Sequence, residues 1–142
     1  MEHSNPLLRH SNSPCKFITI GEIMLRLTPP NYEKIRVSTA FEASYGGSEA
    51  NIALSLANLG VDSTMILSTP EQTPTHRLGT YYLETGYGIR SSKVTYDRKH
   101  SAITEYDFSQ VDLDALLEGF DWLHLSGITP ALSPSCAQLV LD

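Results

Sequence analysis

Long apolar runs are missing from this chain. None approaches the ~18 residues that a membrane-crossing helix needs, so no membrane partner is expected. Cysteine is scarce: Cys15 and Cys136 are far apart and in unlike surroundings. They give neither a disulfide framework nor metal-ligand spacing, and a reducing cytoplasm is the expected compartment. Basic residues are few, with 10 Lys and Arg against 16 Asp and Glu and a net charge of −6. Nucleic acid is therefore not expected as a partner, since domains that bind it carry a basic face. An acidic chain can still hold an anion through local arginines or a helix N-terminus. The phosphate-loop spacing G-x-x-x-x-G-K-[ST] is absent, as is the G-x-S-x-G elbow of the hydrolases. There is no internal repeat and no low-complexity stretch.

What is present reads as one soluble globular domain. The 142 residues are 41% apolar and 18% charged, enough for a single core. "MEHSNPLLRHSNSPCK" has no signal-peptide core, because Asn5, Pro6, Arg9 and His10 interrupt it, and residues 1–16 read as a disordered extension. A metal-binding use of its two HSN triplets is disfavoured. Phe17, Ile18 and Ile20 begin a strand, and Ile23, Leu25 and Leu27 alternate with Met24 and Arg26 in a second one that Pro29-Pro30 ends. In "SYGGSEANIALSLANLG", Ala50, Ala53, Leu54 and Ala57 line one helical face. Ser48 suits the N-cap, Glu49 the positive helix end and Gly60 the C-terminal stop. "VDSTMILS" reads as a strand, "TPEQTPTHR" as a linker, and "LGTYYLETG" and "SSKVTYDRKHSAI" as strands around a "GYGIRS" hairpin loop. "DLDALLEGFD" is helical, "WLHLSG" is a buried type of strand, and Ser133-Pro134 starts a last helix of about two and a half turns.

Four groups of residues invite chemistry, and each has a plainer reading beside it. Gly47, Ser48, Glu49, Ala50 and Asn51 would form a ligand seat, with free N–H groups at the helix start and an amide that can pair with hydroxyls. They would equally form a tight strand-to-helix turn with an ordinary cap. Tyr81, Tyr82, Tyr96, Arg98 and Lys99 form the second group. Tyr96 and Arg98 fall on one strand face, and a guanidinium can grip a carboxylate with two hydrogen bonds. The alternative is a solvated face on which Asp97 is the local partner of the arginine. Glu22 could accept hydrogen bonds from sugar hydroxyls at a strand end, but a surface carboxylate is favoured. His124, on an apolar strand, reads as a satisfied core histidine, while Ser126, Gly127 and Thr129 at its end could line a cleft.

Five blocks in order, "GEIMLRLTPP", "YGGSEANIALSLANLG", "LGTYYLE", "KVTYDRKHSAI" and "WLHLSGITPALS", resemble the PfkB (ribokinase-like) carbohydrate kinases. The likeness is greatest to those that act on 2-keto-3-deoxygluconate, and it covers residues 17–142. It implies an α/β fold with a doubly wound, Rossmann-like sheet and a small β-sheet lid, whose strands lie at about 23–45 and 79–104. It implies transfer of the ATP γ-phosphoryl group to a sugar hydroxyl with Mg²⁺. It makes Gly47, Ser48, Glu49, Ala50 and Asn51 the sugar corner, and Tyr81, Tyr96 and Arg98 contacts to a small-molecule sugar acid. The glycines would let the sugar press against the backbone. Homodimerisation through lid strands is a further implication.

Two departures qualify the resemblance. The family follows its "VDSTMILS"-like strand with a G-x-D-x-x-G turn, a helix and a strand, and here "TPEQTPTHR" takes that place. The missing helix would leave apolar surface exposed. The family's G-A-G-D motif, with the proton-accepting aspartate and the amides that stabilise the phosphoryl group, does not occur in these 142 residues, nor does its ATP-binding segment. The expectation is an N-terminal kinase portion without activity by itself. A non-catalytic sugar-acid binding module, a functionless gene remnant and a subunit completed by a partner chain remain as alternatives.

Overall fold

The computed structural model describes residues 14–67 and 77–141. Residues 1–13 of the expected extension, and all of the proline-containing linker except Arg77, lie outside the described residues. Strand β1 (Lys16–Ile20) runs into β2 (Met24–Thr28) through a corner at Gly21, Glu22 and Ile23. A 3-10 turn at Pro30–Tyr32 follows the proline pair. Then come β3 (Glu42–Gly46), helix α1 (Ser48–Asn58) and β4 (Asp62–Ile66). Strands β5 (Thr80–Glu84) and β6 (Lys93–Asp97) form the expected hairpin, closed by a Tyr87–Arg90 bridge. Short helices α2 (Ala102–Glu105) and α3 (Leu113–Leu117) precede β7 (Trp122–His124) and helix α4 (Pro134–Leu141).

The strands make two sheets of a mixed α/β fold. Three are parallel in the order β4-β1-β7. Four form the order β3-β2-β5-β6, in which β2 and β5 are parallel and the other pairs antiparallel. A parallel sheet needs cover on both faces. On one face Ser63 reaches helix α1, its hydroxyl donating to the Ala53 carbonyl at 2.7 Å. On the other face Ile20 packs with Ile103, Phe108, Cys136 and Leu139, flanked by Ile66, Leu116 and Leu125. The ring of Tyr106 meets that of Phe108 edge-on at 4.8 Å. Ser133 caps α4 by accepting from the Cys136 N–H at 3.1 Å, as expected for a Ser-Pro helix start. Burial pushes the Cys136 thiol upward, and it lies 3.4 Å from the Ile103 carbonyl.

Several local expectations are corrected. Gly47, not Ser48, is the N-cap of α1, and Ser48 is the first helical residue. The buried residues of that helix are Glu49 and Ala53, while Leu54 and Leu59 stand 64% and 80% exposed. Gly60 does terminate the helix, with φ at +83°, a conformation glycine takes without a Cβ clash. The stretch after β6 does not stay extended: Ala102 and Ile103 turn into α2 and enter the core. Strand β7 is not a buried strand, since it lies at the sheet edge with Trp122 64% exposed. His124 is not a satisfied core histidine either, because its Nε2 is buried without a hydrogen-bond partner.

The burial pattern separates two leucine-sized positions. An Ile20→Ala variant should lose about 2–5 kcal/mol of stability in chemical denaturation, the cost of emptying a core site. Leu59→Ala, at an exposed helix end, should change it by less than ~0.5 kcal/mol.

Candidate functional site

The corner between the two sheets is built by close backbone approach. Gly47 is extended at φ −174°, so its conformation would suit any residue. What requires glycine is space, since a Cβ there would sit 2.1 Å from the Glu22 carbonyl oxygen. A Cβ on Gly46 would lie 2.9 Å from the Tyr81 hydroxyl. The room that the glycines leave is thus filled by the protein's own atoms, which lets β3 deliver helix α1 directly against the β1–β2 corner.

Glu22 is the centre of that corner, and it is not a surface carboxylate. It is 6% exposed. Its Oε2 accepts from Arg98 Nε at 2.5 Å, and its Oε1 accepts from the Gly79 N–H at 3.2 Å. The expected pairing of Asp97 with Arg98 does not form: Asp97 pairs with Arg77 at 3.2 Å. Arg98 is thereby fixed through Nε.

Glu49 is equally committed. It is 3% exposed. Its Oε1 accepts from the Ser126 N–H at 3.1 Å and from the Thr129 hydroxyl at 2.9 Å. Burial pushes the Glu49 carboxyl upward, but hydrogen bonds from Ser126, its own backbone N–H and Thr129 outweigh this and hold it below its ordinary value of 4.5. The segment at the end of β7, expected to line a cleft, therefore ties to the first turn of α1 through a buried carboxylate.

A cavity of about 190 Å³ opens beside these two anchors. Of the residues singled out from the sequence, it is lined by Glu22 and by seven of the eight that the resemblance implies, Gly47, Ser48, Glu49, Asn51, Tyr81, Tyr96 and Arg98. Ala50 is not among them. It faces a separate cavity between α1, β3 and β4, together with Tyr45 and Leu54. Tyr81 and Tyr96 are directly paired across β5 and β6, their rings 5.8 Å apart. Tyr82 points to the opposite sheet face, where it meets Phe41 edge-on at 6.1 Å. Sequence reasoning missed Met24, Val94 and Ile128 in the lining. The first two were findable by strand alternation: Val94 lies two residues from Tyr96, and Met24 pairs with Gly46.

No group of three or more His, Cys, Asp or Glu suited to a metal ion occurs among the described residues. The cavity has two carboxylates in its lining and one guanidinium, so the donor set does not fit a nucleotide triphosphate. No helix among the described residues is long and apolar enough to cross a membrane.

The Glu49 anchor has a pH signature. A carboxyl held below its unfolded value contributes stability that is complete above about pH 4.5 and is lost as the pH falls through the lower folded value. Thermal midpoints measured from pH 7 to pH 3 should therefore fall more steeply for the wild type than for Glu49→Gln below pH 4.5. Parallel curves would remove Glu49 from the acid response.

Comparison with known proteins agrees with this architecture. No family model matches the chain. The chain is 31% identical to a 2-dehydro-3-deoxygalactonokinase from Haloferax volcanii, over 87% of this chain and 45% of that protein. It superposes on the crystal structure of 2-dehydro-3-deoxygluconokinase from Thermotoga maritima with a TM-score of 0.82 and 37% identity, over 90% of this chain and 46% of that one. A PfkB family carbohydrate kinase from Listeria grayi matches with a TM-score of 0.80 and 33% identity, over 89% of this chain and 46% of that one. The chain thus spans about half the length of the relatives it matches. Its relatives and structural neighbours are carbohydrate kinases of the PfkB family, which this chain resembles over about half of their length.

Proposed function

We propose that this chain carries the sugar-acid seat of a carbohydrate kinase whose substrate is 2-keto-3-deoxygluconate or its galactonate counterpart. The reaction of the whole enzyme would transfer the ATP γ-phosphoryl group to a sugar hydroxyl with Mg²⁺. One observation carries this reading: seven residues chosen for sugar-acid chemistry line one cavity. The names of the relatives from Haloferax volcanii and Thermotoga maritima support it.

Each lining group has a role in the proposal. Asn51, in the first turn of α1, offers an amide to sugar hydroxyls, and the positive end of the helix favours oxygen ligands. Tyr81 and Tyr96 form an aromatic wall with hydroxyl tips. Arg98, held by Glu22 through Nε, lines the cavity and would offer its terminal nitrogens to the sugar carboxylate. Glu49 acts through the Ser126–Thr129 segment it holds and shapes the cavity without offering an unengaged Oε1. ATP and Mg²⁺ would be bound outside this cavity, whose lining does not suit a polyanion. By itself the chain should bind sugar acid without turnover, since the G-A-G-D motif does not occur in it. A homodimer through the four-stranded sheet, whose edges are β3 and β6, belongs to the same reading.

The test is thermal unfolding of the purified chain with 2-keto-3-deoxygluconate or 2-keto-3-deoxygalactonate. A ligand that binds only the folded state stabilises it by about 2.7 kcal/mol at 100 times Kd, which raises Tm. Tyr96→Ala should abolish most of that rise and leave the unliganded Tm unchanged, because Tyr96 is 61% exposed. Arg98→Ala is a poor control, since it strands the buried Glu22 carboxylate at a cost of about 3–5 kcal/mol. A Tm indifferent to both sugar acids would overturn the assignment.

A further inference from the structure

A seat made of polar groups alone has no reason to prefer a ligand that lacks a hydroxyl on carbon 3. The proposed ligands differ from ordinary 2-keto sugar acids in that one respect, a CH2 where a hydroxyl would stand. Among the described lining residues, three side chains carry no hydroxyl, amide or charge: Met24, Val94 and Ile128. An apolar wall is the chemical counterpart of a carbon without oxygen. Burial and strand register decide which of the three meets that carbon.

Val94 is 44% exposed and Ile128 46%, whereas Met24 is 8% exposed. A ligand hydroxyl against either exposed wall keeps its water. Against a buried Met24 it loses water and gains no partner, because a thioether is a weak acceptor and no donor. Register adds a second reason. Arg26 on β2 is directly opposite Tyr81 on β5, and Tyr81 is directly opposite Tyr96 on β6. Met24 and Arg98 are each two residues from that row and share its face. Leu25, Thr80 and Asp97 are aligned across the same three strands. One position further toward the corner, Met24, Gly79 and Arg98 therefore stand at one level. A Cβ on Gly79 would lie 2.5 Å from Glu22 Oε1, so the Glu22 carboxylate lies over the glycine between them. Val94 lies on the other side of Tyr96, four residues from Arg98 and roughly 13 Å along an extended strand. Carbon 3 of a sugar acid is only two bonds from its carboxyl carbon. A carboxylate held by Arg98 thus leaves carbon 3 at the Met24 end of the cavity.

We propose that Met24 is a specificity-determining residue, whose buried side chain receives carbon 3 and selects a 3-deoxy sugar acid over its 3-hydroxy analogue. This rests on the sugar-acid reading above, with the carboxylate at Arg98, and adds to it a preference for the missing hydroxyl. The discrimination comes from the rejected ligand, whose extra hydroxyl is stripped of water without a new partner. The unbranched, adaptable methionine chain fits around a CH2 group. Val94 and Ile128, being exposed, impose no such preference.

Calorimetric titration of the 142-residue chain with 2-keto-3-deoxygluconate and with 2-ketogluconate, which carries the hydroxyl on carbon 3, tests this. The wild type should bind the deoxy acid roughly 10- to 100-fold more tightly, the range for a buried hydroxyl left without a partner. Met24→Gln, close in size and able to pair with that hydroxyl, should bring the two affinities within about threefold of each other. Met24→Leu keeps an apolar wall of similar volume and should keep the preference. Met24→Thr, whose branched side chain suits a strand, reads the same ratio should the glutamine variant fail to fold. Val94→Thr, at an exposed wall, should leave the ratio within about twofold of the wild-type value. A purely structural role for Met24 would weaken both acids alike and leave the ratio in place. A wild type that binds the two acids equally, or a preference that survives both Met24→Gln and Met24→Thr, overturns the role of Met24 and leaves the sugar-acid seat standing. A wild-type chain that binds neither acid overturns the seat and the role of Met24 with it.

Discussion

The Glu22 carboxylate is the contact on which the rest of the structure turns. It stands where the chain leaves the three-stranded sheet for the four-stranded one. With two oxygens it takes hold of the start of β5 through Gly79 and the end of β6 through Arg98. Its own backbone carbonyl fills the space beside Gly47, so the entry to α1 is set by the same residue. A buried charge is tolerable only when it is paired and hydrogen-bonded, and these partners meet both conditions. Three segments distant in sequence are thereby brought to one point.

Glu49 repeats the device from the opposite side. It links the first turn of α1 to the loop after β7, through Ser126 and Thr129. The cavity lies between the two anchored carboxylates, and its shape follows from them. The same arrangement places two anchored carboxylates and one guanidinium in the cavity wall.

Much of the fold was legible because it depends on local pattern. Alternation marked β2, β-rich composition marked β1, β5 and β6, the glycine at the end of α1 marked its stop, and Ser133-Pro134 marked the start of α4. The edge position of β7 was not legible, since an apolar triplet looks the same inside a sheet and at its rim. The turn of Ala102 and Ile103 into the core depended on a backbone hydrogen bond from Ala102 to Arg77, a distant neighbour. Seven of the eight site residues could be grouped from local features and family likeness, whereas Ala50 was carried along only by its neighbours.

By itself, then, the sequence determined most of the element types, the family likeness and the cluster of polar residues around the glycine pair, because these follow from spacing along the chain. Which ion pairs form was decided only in three dimensions. Asp97 adjoins Arg98 in sequence, yet strand alternation directs successive side chains to opposite faces. Asp97 therefore meets Arg77, and Arg98 meets Glu22 across 76 residues. The burial that makes Glu22 and Glu49 structural carboxylates, and the register that sets Arg26 beside Tyr81, exist only once the two sheets meet.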